Sequence, residues 1–365
     1  MLWNFWSIIL KMQSKYQARR DQIKKACNAL NADAFLVSSL VNVRYLSGFT
    51  GSNGVLLISG NNEFLFTDSR YLEQGREQTC DQITVSLSSG FSAVEEVSKL
   101  YSITDVAFES DHLTYSEFKG MEKLLNPRVN LIPSEGVVEK IRSVKDKDEI
   151  DLIRKAACLA DEAVTFAIKE SQPGKSEFEI AWVIEKFLRE NGADGVAFDT
   201  IVATGANSAK PHHRAGSTTI KAGDPLVIDM GALLNGYRSD ITRTILVDGE
   251  DEKFQQVYEV VLEAQTTAIG AAKKGVIGKE LDLVAREVIV SHGFGQNFSH
   301  GLGHGVGLDV HEMPMVVPSS EHVLEEGMVF TVEPGIYLPG WGGVRIEDMI
   351  LLEESEVSLL TKAPK

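Results

Sequence analysis

The run from Leu226 to Thr244 restricts this chain more than any other stretch. Leu226-Val-Ile-Asp-Met-Gly-Ala232 and Arg238-Ser-Asp-Ile-Thr-Arg-Thr244 are apolar, strand-forming segments, and Asn235-Gly236 between them signals a type I′ hairpin. With those two residues in the turn, Leu234 pairs with Tyr237, Asp229 lies opposite Thr242, and Asp240 lies opposite Gly231. Asp229 and Asp240 then share one face as diagonal neighbours, about 7–8 Å apart at the backbone. Leu226, Ile228 and Met230 form the opposite, buried face. Two carboxylates so placed can reach one pair of metal ions roughly 3.5–4 Å apart. A lone strand aspartate is ordinarily a cap or an edge charge; two converging on an apolar hairpin are harder to explain without a cation.

The pattern repeats downstream. In Val329-Phe-Thr-Val-Glu-Pro334, Glu333 shares a face with Thr331 and Val329. In Gly343-Val-Arg-Ile-Glu-Asp348, Glu347 shares a face with Arg345, while Val344 and Ile346 turn away. Both glutamates are expected inside apolar strands. Buried carboxylates without counter-charge cost several kcal/mol each, and two divalent cations would neutralise all four. His300-Gly-Leu-Gly-His-Gly-Val-Gly-Leu-Asp-Val-His311 places three of the chain's 8 histidines in one short stretch, with glycines that let imidazoles and backbone crowd together. Pro211-His-His-Arg214 adds a second pair. Any one of these histidines would read as an ordinary surface or core residue; clustered beside four carboxylates they read as functional.

At 365 residues the chain has room for two domains. Up to about residue 140 short strands and helices alternate. Strands are expected at Ala34 to Ser38, Gly54 to Ser59, Glu63 to Thr67, Ile83 to Leu87 and Asp105 to Phe108, with Asn61-Asn62 as a hairpin turn. Helical patterns cover Tyr16 to Leu30, Val94 to Tyr101 and Tyr115 to Leu125. The charged stretch Glu139 to Asp148 reads as a hinge. Beyond it, Ile153, Ala157, Ala160, Val164 and Ile168 mark one helix face, and Ser176 with Glu179 caps a second helix that stops at Asn191-Gly192. Another helix pair fits Lys253 to Ala272 and Lys279 to His292, so helix pairs and strands alternate as two similar halves.

A net charge of −16 without any basic run argues against nucleic acid or an anionic membrane as partner. Cys27, Cys80 and Cys158 are an odd, scattered set, expected as buried or half-buried thiols in a reducing compartment. No apolar run approaches the roughly 20 residues of a membrane span. Residues 1–11 are apolar but lack the basic start and cleavage site of a secretory signal, and are expected to be an extension ahead of Met12. The expected location is the cytoplasm.

The motifs Val-Ile-Asp229-Met-Gly, Ser-Asp240-Ile-Thr-Arg-Thr, Gly-His304-Gly-Val-Gly, Val-Glu333-Pro-Gly and Arg345-Ile-Glu347-Asp together resemble the pita-bread metallopeptidases, the family of methionine aminopeptidase, aminopeptidase P and prolidase. Arg44-Tyr-Leu-Ser-Gly-Phe-Thr-Gly-Ser52 and Thr67-Asp-Ser-Arg-Tyr71 resemble the creatinase-type domain of the proline-directed branch. The resemblance implies an α/β (α+β) chain: the extension, a creatinase-type α/β domain over residues 12–140, and a pita-bread catalytic domain over residues 141–365. It implies two divalent cations held by Asp229, Asp240, His304, Glu333 and Glu347, with Asp240 and Glu347 as bridges. The oxygen-rich set suits manganese first, then cobalt, iron or zinc.

The implied reaction is hydrolysis of Xaa-Pro bonds in short proline-containing peptides by a metal-bridging hydroxide, with Glu333 as proton acceptor. His311 and His212 would steady the carbonyl oxygen and the tetrahedral intermediate. His300 would line the pocket, His213 has no counterpart, and Arg345 would hold Asp240 or its neighbours. Prolidases often carry an arginine after the proline of His311-Glu-Met-Pro-Met315, where this chain has Met315. That departure places an aminopeptidase P-like activity on longer peptides ahead of a strict Xaa-Pro dipeptidase. Creatinase and histone-chaperone relatives have lost metal ligands that this chain keeps, which disfavours a metal-free binding module. The branch also implies a homodimer, with Arg44, Tyr45 and Phe49 of the Asn42 to Asn53 loop walling the partner's site.

Overall fold

The computed structural model describes residues 2–60, 62–80, 82–88 and 90–365, residues 2–14 by their backbone alone. The chain divides into two compact units, Met1–Arg142 and Ser143–Lys365.

In the first unit the strands β1 (Ala34–Val37), β2 (Val55–Ser59), β3 (Asn62–Thr67), β4 (Ile83–Leu87), β5 (Asp105–Glu109) and β6 (Asn130–Ser134) form one sheet, ordered β4-β3-β2-β1-β5-β6. β1 to β3 run antiparallel, and β4, β5 and β6 each join parallel to a neighbour. The helices are α1 (Leu2–Leu30), α2 (Leu40–Ser47), α3 (Leu72–Gln78), α4 (Ser92–Tyr101), α5 (Tyr115–Leu125) and α6 (Val137–Ser143). β1 is apolar at every position and buried along its length, as a central strand covered on both faces must be.

Several expectations change here. Helix α1 runs through Met12 without a break, so the extension expected before it is continuous with the helix. Helix α2 stands where a loop was expected. Tyr45 and Phe49 are buried, so they pack within their own unit rather than forming an exposed wall. Asn61, half of the expected hairpin turn, lies outside the described residues. Cys27 and Cys80 are buried, but Cys158 is exposed.

In the second unit α7 (Lys147–Glu170) and α8 (Glu177–Glu190) are followed by β7 (Gly195–Val196), β8 (Ile201–Thr204), β9 (Pro225–Met230), β10 (Ala232–Leu234), β11 (Tyr237–Arg238) and β12 (Ile241–Leu246). Then come α9 (Glu252–Ala271), α10 (Gly278–Ser291), β13 (Gly303–Gly305), β14 (Glu312–Val316), β15 (Val329–Val332), β16 (Gly335–Leu338), β17 (Gly342–Arg345), β18 (Asp348–Leu352) and β19 (Val357–Leu359). The stretch expected as a hinge holds the end of α6 and the first turn of α7. Capping boxes start α7 at Asp146 and α8 at Ser176, satisfying the free N–H groups of each first turn.

Each helix pair covers a sheet. Ile180 and Ile184 of α8 and Ala160 and Val164 of α7 pack on Leu226, Ile228 and Met230 in the sheet β12-β9-β8. Val261 and Ala264 of α9 and Leu281 and Ala285 of α10 pack on Phe330, Val332 and Ile350 in the sheet β14-β13-β15-β18-β19. The faces of β9 and β15 turned away from these helices carry Asp229 beside Val227 and Thr331 beside Val329, and there the site is built.

Candidate active site

The hairpin forms in the expected register. Leu234 pairs with Tyr237, and Asn235 and Gly236 both take positive φ, 50° and 82°, as a type I′ turn demands. Asp229 lies opposite Thr242. The ladder breaks between β11 and β12, leaving Asp240 just ahead of β12 with its N–H donated to the sulfur of Met349. The two glutamates sit differently from expectation. Glu333 is one residue past the end of β15, and Glu347 lies in the gap between β17 and β18. A regular strand would alternate these side chains across the sheet; the breaks turn them into the site.

His304 is carried by β13, which must lie very close to β15. A Cβ at Gly303 would stand 2.0 Å from the Thr331 carbonyl oxygen, so only glycine fits. The His304 Nδ1 donates to the Gly305 carbonyl at 3.2 Å. That fixes the tautomer and aims Nε2 at Glu333 (3.2 Å) and Asp240 (3.8 Å). Donor atoms of Asp240, His304 and Glu347 all lie within 4.8 Å of one another. All five expected ligand residues therefore line one cavity of about 470 Å³.

A layer of hydrogen bonds holds these carboxylates. Thr331 accepts from the His304 N–H and donates to Glu333, both at 3.1 Å. Thr242 donates to Glu347 at 2.7 Å. Of the carboxylates Arg345 is expected to hold, Asp240 or its neighbours, its guanidinium grips Asp229 at 2.6 Å. It also donates to the Tyr337 hydroxyl at 2.8 Å and to Thr242 at 3.2 Å. Tyr337 in turn bonds the Nε2 of His300 at 2.9 Å, while the His300 Nδ1 bonds the Gly301 carbonyl.

The charges are unbalanced in a way that a cation resolves. Burial, then Glu347 and Asp229, push the Asp240 carboxyl far above its usual range; burial, then Glu333 and Asp229, do the same to Glu347. Burial also raises Asp229 against the pull of Arg345. Glu333 goes the other way: burial opposes its charge, yet the His304 hydrogen bond and charge hold it down at about 2. His304 is raised correspondingly, Glu333 outweighing burial. The Oδ1 of Asp229 is buried with no hydrogen-bond partner among the described residues. An orphaned carboxylate oxygen beside three more carboxylates and the inward-facing imidazole nitrogen of His304 is a donor set for hard or borderline divalent cations. The residues present fit the group.

Around this centre the cavity is lined by His212, His300 and His311, by apolar residues including Phe198 and Met315, and by Arg214. The His311 ring meets His304 edge-on at 4.3 Å, and burial with the neighbouring His304 lowers its pKa. His300 is lowered as well, chiefly by burial. His213 turns aside to the buried carboxylate of Glu177 at 2.8 Å. Reading the sequence named the residues that meet in this cavity, the histidines included, but not Tyr337, Thr242 as a support, Glu177 or the buried Lys145–Glu312 ion pair (2.8 Å), whose glutamate follows His311 in sequence. The hydroxyls of Thr242 and Thr331 carried a signal, each two residues from a ligand on the same strand face. Tyr337 and Glu177 carried none, since their partners are remote in sequence.

Two family profiles match the chain: metallopeptidase family M24 over residues 151–354, and the creatinase/prolidase N-terminal domain over residues 19–144. An Xaa-Pro dipeptidase of Pyrococcus furiosus is 40% identical over 348 residues, 95% of this chain and 98% of the relative. A solved Xaa-Pro dipeptidase from Bacillus anthracis superposes with a TM-score of 0.93 at 39% identity, covering 96% of this chain and 98% of that one. An X-Pro aminopeptidase from Thermotoga maritima gives 0.88 at 38% identity, covering 94% and 98%.

Proposed function

Because this chain belongs to metallopeptidase family M24 and carries the creatinase/prolidase N-terminal domain, we propose that it hydrolyses the Xaa-Pro bond of dipeptides. The observation that carries the choice of substrate is the near full-length likeness to proteins named Xaa-Pro dipeptidase. It moves the reading away from the longer peptides that Met315 had favoured. That second reading keeps the support of the apolar Met315 in the cavity wall and of the likeness to a Thermotoga maritima X-Pro aminopeptidase.

Asp229, Asp240, His304, Glu333 and Glu347 would hold two divalent cations, with manganese proposed on the oxygen-rich donor set. Bound there, the cations polarise the scissile carbonyl and acidify a water. Glu333, ionised and steadied by Thr331, accepts the proton of the attacking water and passes it towards the leaving proline nitrogen. Burial and the neighbouring His304 favour the neutral form of His311, which can donate a hydrogen bond to oxygen as negative charge develops there. His212 faces the same cavity and shares that work. Arg345, locked by Asp229, Thr242 and Tyr337, keeps the ligand carboxylates in place and leaves His300 a fixed wall.

We take the working form to be a cytoplasmic homodimer; no helix among the described residues is long and apolar enough to cross a membrane. Sedimentation at micromolar concentration tests the dimer, and a fully active monomer would contradict it. The substrate reading is tested by comparing kcat/KM for Leu-Pro with that for Leu-Pro-Ala. The dipeptide is expected to be favoured at least about tenfold, the difference one charge-assisted contact makes. A preference for the tripeptide would restore the aminopeptidase reading.

A further inference from the structure

Resting on the dipeptidase reading, we propose that Arg214 is the specificity residue that grips the free carboxylate of the substrate's proline. A dipeptide differs from every longer peptide in carrying a full negative charge one residue beyond the scissile bond, within about 4 Å of chain. That charge must be brought to a cavity whose four carboxylates already match the two cations they would hold, in a chain of net charge −16. It needs a cation on the cavity wall.

Two arginines line the cavity, Arg214 and Arg345. Arg345 is committed: it is buried, and Asp229, Thr242 and Tyr337 take its donors. Arg214 is exposed to the cavity, and no hydrogen bond or ion pair holds its guanidinium among the described residues. Met315 and Val317 offer the proline ring an apolar surface but no charge.

The backbone around Arg214 is tethered. Glu177, fully buried at the start of α8, accepts from the N–H of Thr204 (2.9 Å), the Asn207 amide (2.9 Å), His213 (2.8 Å) and the N–H of Gly216 (3.1 Å). Two of those four donors flank Arg214 in sequence. One carboxylate thus pins the segment that presents the guanidinium, so binding costs the order of one side chain and not of a loop. The same clamp places His212, next along the segment, at the cavity. This also accounts for His213, whose ring serves Glu177 and not the substrate. A guanidinium presents a fork that matches a carboxylate in two parallel hydrogen bonds, which a lysine cannot reproduce.

The test compares Leu-Pro with its C-terminal amide, Leu-Pro-NH2, in wild type, R214A and R214K, each checked for metal content and melting temperature. In the wild type the free acid is expected to be the better substrate. In R214A the ratio of kcat/KM for acid over amide should fall on the order of 10- to 100-fold, the worth of a charge-assisted pair, with KM for the acid taking most of the change. R214K should lie between the two. An unchanged ratio in R214A, or an equal loss on both substrates, would overturn the role of Arg214 while leaving the dipeptidase reading intact. A wild type that fails on Leu-Pro yet cleaves Leu-Pro-Ala would instead remove the reading on which the role rests.

Discussion

Asp240 faces Glu347 and His304 from a gap in the strand ladder, and it has no substitute there. Replacing it with alanine should release at least one metal ion and lower kcat/KM by about three orders of magnitude, because Glu347 alone would be left to join the two cations. Metal analysis and steady-state kinetics on the same sample check this; a variant with full metal and full rate would contradict the ligand assignment. His311 has a different place, edge-on to His304 at the cavity wall. His311→Ala should keep its metals and lose turnover by about 10²–10³, as expected for a lost oxyanion donor. Loss of metal in that variant would move His311 among the ligands.

The hairpin at Asn235-Gly236 was legible because its turn chemistry and alternation leave one register, and that register brings Asp229 and Asp240 together. The strand breaks at Glu333 and Glu347 were not legible. They depend on contacts such as Thr242 with Glu347, which joins residues 105 positions apart. The close approach of β13 and β15 is also a contact of this kind, and it makes a sharp test. Gly303→Ala puts a methyl 2.0 Å from the Thr331 carbonyl oxygen, so the strands must part. An overpacking cost of about 1–3 kcal/mol is expected in urea unfolding, together with weaker metal binding, since His304 moves with the strand.

In the first unit, Asp33 at the entry to β1 accepts from the N–H and hydroxyl of Thr104 and the N–H of Asp105. The Thr104 N–H, ahead of the other contacts, lowers its carboxyl pKa below 3.8. A depressed carboxylate contributes stability that is full above its unfolded pKa of about 3.9 and is lost as pH falls through the folded value. Asp33→Asn should therefore melt below wild type at pH 7, with the gap closing towards pH 3. A gap that stays constant over that range would contradict the assignment.

At the scale of the whole molecule, the two helix pairs, α7 with α8 and α9 with α10, were readable from periodicity and capping residues. Of the residues that the spacing marked on α7, Ile153, Ala157, Ala160 and Val164 are buried and Ile168 is half-buried. What escaped was the interior of the first unit, where α2 replaces an expected loop and buries Tyr45 and Phe49. An aromatic-rich segment between glycines looks the same whether it packs inward or outward, and only the tertiary fold decides. The second unit holds all five residues proposed as metal ligands, so activity should follow metal occupancy of that unit alone.

The most direct measurement is the rate of Leu-Pro hydrolysis against manganese bound per chain, starting from protein stripped with a chelator. The stripped protein should be inactive, activity should rise with metal to saturate near two ions per chain, about the complement of a dinuclear site, and Leu-Ala should remain uncleaved. Full hydrolysis by the stripped protein, or none with both sites loaded, would contradict the assignment of these five residues to a proline-directed dinuclear peptidase.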